Sequence, residues 1–68
     1  MYDTIRRTRQ LAEEKGISPY ELCKRSGVAY STFANAAARN GQLRIDTIEL
    51  FAAGLGISLA EFFAQEAT

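Results

Sequence analysis

The sequence predicts an all-α fold, a compact five-helix domain, and three observations carry that expectation. Apolar residues recur at three- and four-residue spacing along most of the 68 positions, with no strand-like alternation. Glycines close the periodic runs at Gly16, Gly27, Gly41 and Gly56. The one proline, Pro19, stands where a helix begins and not inside one.

The totals bound the rest. Sixty-eight residues make a single domain, expected to span residues 1–68 with no repeat, linker or separate sensor domain. A single cysteine cannot form an intramolecular disulfide, and without histidine no zinc site or catalytic constellation can be assembled. No enzyme, cofactor or small-molecule substrate is expected. No apolar run reaches the ~20 residues of a membrane span, and Met1-Tyr2-Asp3 leads into charge, so the expected location is cytoplasmic.

Helix 1 is expected from about Tyr2 to Lys15, with Ile5, Thr8, Leu11 and Ala12 on one face and Arg6, Arg7, Arg9 and Gln10 on the other. Ile17 joins the core in the link to helix 2. Ser18-Pro19-Tyr20-Glu21 has the capping-box pattern: a serine hydroxyl accepts from the backbone three residues on, and a glutamate there returns the bond. Helix 2 then runs to Ser26, with Leu22 and Cys23 inward, and Gly27 takes the left-handed conformation that ends it. Val28 points inward across the turn. Helix 3 runs from about Tyr30 to Arg39, with Phe33 and Ala36-Ala37 inward, and Asn40-Gly41 stops it because both tolerate positive φ. Helix 4, about Ile45 to Leu55, places Ile45, Ile48, Phe51, Ala52 and Leu55 on an apolar stripe. Ser58-Leu59-Ala60-Glu61 is a second capping box, opening a short helix 5 with Phe62-Phe63.

Residues 18–39 therefore hold a short helix, a glycine turn and a second helix, the helix-turn-helix arrangement formed by helices 2 and 3. Charge is distributed in keeping with an anion-facing side. Residues 1–44 carry all eight basic residues and four acids, a net +4, whereas residues 45–68 carry four acids and no base, a net −4.

The residues LAEEKGIS (11–18), ELCKRSGVAYSTF (21–33), IDTIELFAAGLGIS (45–58) and LAEFF (59–63) resemble the lambda-repressor-like (XRE, Cro-type) helix-turn-helix family in order and spacing. The resemblance covers nearly all of the chain. It implies a DNA-binding protein of bacterial, phage or plasmid type, most often a transcriptional regulator, binding double-stranded DNA as a homodimer at an inverted repeat. It also implies that the outward residues at the start and middle of helix 3, here Tyr30, Ser31 and Asn35 with Thr32 beside them, contact bases. In such motifs the second helix lies in the major groove. An asparagine amide can pair with adenine N6 and N7 together, worth ~1–3 kcal/mol of discrimination. Ser31 can donate or accept, and Tyr30 can pack on a thymine methyl or reach a phosphate.

Phosphate contacts are expected from Ser18 with the N–H groups of helix 2, and from Arg39, Asn40 and Arg44 around the loop after helix 3. Lys24 and Arg25 read as solvated charges, and Arg6, Arg7 and Arg9 stay open. Three features depart from the family pattern. Pro19 stands where many members place a DNA-contacting glutamine, Ala29 where a Ser or Thr cap opens helix 3, and Ala34 with Ala36-Ala37-Ala38 leaves helix 3 thin. A protein-interaction module on the same frame, antitoxin-like or anti-repressor-like, is the rival reading. Cys23 reads as a small hydrophobe, and of Phe62 and Phe63 one is expected to stay exposed as a dimer contact.

Overall fold

The computed structural model describes residues 3–39 and 41–64. Five helices follow in order: α1 (Thr4–Glu14), α2 (Pro19–Ser26), α3 (Tyr30–Ala38), α4 (Ile45–Leu55) and α5 (Leu59–Phe63). No strand occurs among the described residues, and the fold is all-α.

Caps explain most of the boundaries. Asp3 lies in extended conformation and its carboxylate accepts from the Arg6 N–H at 3.0 Å, so α1 starts at Thr4 and not near Tyr2, which lies outside the described residues. Ser18 Oγ accepts from the Glu21 N–H at 3.1 Å, but only this half of the expected capping box forms. Glu21 instead turns its carboxylate toward Arg25 Nε, 3.4 Å away and one turn on. At α5 both halves are present: Ser58 Oγ accepts from the Glu61 N–H and Glu61 Oε1 accepts from the Ser58 N–H. Gly27 sits at φ 74°, a conformation that a Cβ would strain, and lets the Val28 N–H reach the Cys23 carbonyl at 3.0 Å. α3 ends at Ala38, one residue before the expected Arg39. Gly41 donates its N–H to the Ala36 carbonyl at 2.8 Å without entering the left-handed region, so the predicted positive φ there is not needed.

All five helices contribute to one core, with Phe33, Phe51 and Phe62 fully buried and the rings of Phe33 and Phe51 edge to face at 6.1 Å. Thr8 is also fully buried; its hydroxyl donates to the Thr4 carbonyl at 2.7 Å, which satisfies it inside the helix. One expected core residue is misplaced. Ile45 is 57% exposed, because the first residue of α4 lies beyond the edge of the core. The preceding loop buries Leu43 instead.

α2 and α4 form the most extensive helix pair, and Gly54 is the reason they can close. A Cβ at Gly54 would collide with Ser26 Oγ and stand 3.2 Å from Ser26 Cβ and 3.4 Å from its Cα. Gly54→Ala gains ~1 kcal/mol of helix propensity. It loses more to overpacking, which costs ~1–3 kcal/mol, so a net destabilisation of about 1 kcal/mol is expected. Ser26 Oγ is buried with no hydrogen-bond partner among the described residues, so Ser26→Ala removes an unsatisfied hydroxyl and the nearest of the colliding atoms, leaving the Cβ approach in place. The double variant is expected to recover part of the loss in urea unfolding. A double variant as unstable as Gly54→Ala alone would place the strain elsewhere.

Candidate nucleic-acid interface

The helix-turn-helix presents one face of α3 to solvent. Phe33 and Ala36 turn into the core and Ala37 packs at its edge, which leaves Ser31, Asn35 and Ala38 on the opposite side. Ser31, Thr32 and Asn35 are exposed, and Tyr30 is 43% exposed. Ala29 offers no side-chain acceptor to the start of α3, where the Thr32 N–H bonds to the Ala29 carbonyl at 3.0 Å. The Tyr30 ring is held from two sides, edge to face with Tyr20 at 5.5 Å and tilted against Phe33 at 6.3 Å. Tyr20, itself 57% exposed, is a residue that periodicity alone did not mark. Lys24 places its ammonium over the Tyr20 ring at 5.8 Å.

The expected phosphate contacts flank this face. Ser18 caps α2 and is exposed. Arg39 is the C-cap of α3 and exposed; Arg44 is the N-cap of α4, with a side chain 86% exposed and Nε 3.5 Å from Asp46 Oδ1. Asn40 lies outside the described residues. The loop between the two arginines is fixed from a distance. Gln42 Oε1 accepts from the Thr4 N–H at 3.1 Å and the Thr4 hydroxyl at 2.7 Å, while the Leu43 N–H donates to Thr4 Oγ1 at 2.9 Å. Both Thr4 groups are therefore spent on holding that loop against the start of α1.

The three arginines left open divide by contact. Arg7 donates from Nε to the Phe62 carbonyl at 2.7 Å and from Nη2 to the Glu61 carbonyl at 2.9 Å, tying α1 to the end of α5. Arg9 lies over the Phe33 ring at 5.7 Å, and Arg6 is exposed. Cys23 is buried, and burial pushes its thiol up from the ordinary range, which disfavours the thiolate. Phe62 is buried and Phe63 is 37% exposed.

Two short helices joined by a left-handed glycine turn, the second exposed along one face and both set in a five-helix frame, define a helix-turn-helix protein. The family model of the Cro/C1-type HTH DNA-binding domain matches residues 7–67, and the chain belongs to that family. The lambda-repressor-like resemblance of residues 11–63 therefore holds, and the chain is a DNA-binding domain, a family function that requires no catalysis. Neither a search of curated proteins nor a search of solved structures found a match. No helix among the described residues is long and apolar enough to cross a membrane.

Proposed function

We propose that residues 1–68 act as a single XRE-type transcriptional regulator in the cytoplasm, a homodimer that inserts α3 into the major groove of double-stranded DNA. The observation that carries this reading is the exposed face of α3, which presents Ser31 and Asn35 and is followed by exposed cations at its C-cap, Arg39, and at the N-cap of α4, Arg44. Tyr30, Ser31, Thr32 and Asn35 are the base-contacting set; Ser18, Arg39, Asn40 and Arg44 are the phosphate-contacting set. Tyr30 is restrained by Tyr20, which favours packing on a thymine methyl over a long reach to phosphate. The homodimer rests on the small number of base pairs one domain can read, and the exposed Phe63 is its candidate contact.

Selection of bound duplexes from a random-sequence library at low salt tests the reading. Enrichment of a two-fold-related motif with half-sites one helical turn apart supports it. Retention without enrichment would leave α3 docked through phosphates alone. Asn35→Ala is expected to relax the preference at one adenine by about 1–3 kcal/mol, whereas Arg39→Ala weakens all sequences about equally. A base preference unchanged by Asn35→Ala removes that residue from the reading set.

The alanines of α3 support the rival reading, since Ala34 and Ala38 offer a smooth packing face to a protein partner. Salt separates the two. Duplex affinity falls steeply with salt when several phosphates are contacted, and an apolar protein contact does not.

A further inference from the structure

A cleft of about 440 Å³ opens beside the recognition face, between the start of α1, the end of α3 and the loop that follows it. We infer that this cleft binds a phosphate-type oxyanion, and that the oxyanion is a backbone phosphate of bound DNA. The second half of that statement rests on the DNA-binding mode proposed above.

The donor set selects the ligand class. Arg6 and Arg9 line the cleft one turn apart on α1, and neither is in an ion pair among the described residues. Arg7, between them in sequence, is turned away to α5 and does not contribute. Gln42 also lines the cleft, from the loop after α3. Its amide oxygen is committed to Thr4, so the two amide N–H donors are what it offers a ligand. Two guanidiniums and an amide NH₂ form a set of donors without a free acceptor, suited to phosphate oxygens. Asp3 also lines the cleft and opposes an anion, but its Oδ1 accepts from the Arg6 N–H, and the ionised side chains still sum to +1. Ala37 and Gly41 complete the wall with little bulk.

Position selects the source. The loop that forms one wall joins Arg39 to Arg44, so a phosphate in the cleft continues the line of backbone contacts past the end of α3. A free oxyanion would use the same donors, and the experiment must separate the two.

Duplex affinity is measured against salt for the wild type, Arg6→Ala/Arg9→Ala and Arg6→Lys/Arg9→Lys, each checked for native helix content by circular dichroism. The alanine pair is expected to make the slope of log K against log salt shallower by about 0.9 for each phosphate lost, with the selected DNA motif unchanged. The lysine pair is expected to keep most of the slope, because the charge remains. An alanine-pair slope equal to the wild type overturns the inference. Inorganic phosphate titrated into isotope-labelled protein provides the second arm. Saturating shifts of the Arg9 and Gln42 amides, absent from the alanine pair while the duplex slope is unchanged, would assign the cleft to a free anion and overturn its assignment to DNA. A wild type that fails to bind any duplex would instead sink the DNA-binding mode itself.

Discussion

Replacing Phe51 by alanine is expected to remove at least a third of the protein's folding stability. The ring is fully buried, lies edge to face with Phe33 and belongs to the cluster that joins all five helices. Truncating a buried phenylalanine to alanine costs ~3–5 kcal/mol, part transfer and part cavity. At ~0.05–0.15 kcal/mol per residue, a chain of this length holds only about 3–10 kcal/mol in total. The substitution therefore removes between a third and all of the stability, and no disulfide stands behind the core, since Cys23 is free. Urea unfolding followed by circular dichroism measures it. A cooperative transition with a loss under about 2 kcal/mol would show that the helices collapse onto the space and that the core is centred elsewhere.

Arg7→Ala is expected to cost about 2 kcal/mol and to loosen α5 before the rest. Its guanidinium spans the carbonyls of Glu61 and Phe62, in the final turn of a five-residue helix too short to hold itself. A hydrogen bond to a charged donor contributes ~1.5–3 kcal/mol, and the solvent exposure of the Glu61 bond keeps the sum near the lower end. Arg7→Lys retains the charge and not the fork, so it is expected to recover less than half. Amide exchange at Phe62, whose N–H bonds to the Ser58 carbonyl, reports the local change. Exchange and unfolding midpoint both at wild-type values would mean that α5 is held by Phe62 burial alone.

What was legible in the sequence was whatever a residue decides with its near neighbours. The helices, the left-handed turn at Gly27 and the Ser58 capping box depend on residues within four positions, and each forms where the pattern places it, with the ends of α1 and α3 moved by one or two residues. The outward set on α3 follows from the burial of Phe33 and Ala36 on the same helix. Decisions made across the fold were not legible. Arg7 carries the same local signal as Arg6 and Arg9, and its role depends on carbonyls 54 and 55 residues away. Gly54 sits mid-helix with no turn to make, and only the approach of Ser26 from α2 accounts for it. Glu21 had two partners within one turn, and the Arg25 side chain prevailed over the Ser18 backbone. Ile45 fits the apolar period but falls past the edge of the core, while Leu43 outside the helix is buried.

The bonds from Thr4 to Gln42 and Leu43 join residues 38 and 39 positions apart, enclosing the whole helix-turn-helix in one ring of chain. Closing a flexible loop of that length costs on the order of 3 kcal/mol of entropy, against three hydrogen bonds to offset it. The closure is therefore expected late in folding, after α1, α2 and α3 have shortened the distance to be spanned. A partly folded chain can hold the two helices of the motif at nearly native helix content while the segment bearing Arg44 still wanders. Refolding followed by helical signal is then expected to finish before refolding followed by DNA affinity, with the interval between them marking the time taken to seat Gln42 on Thr4.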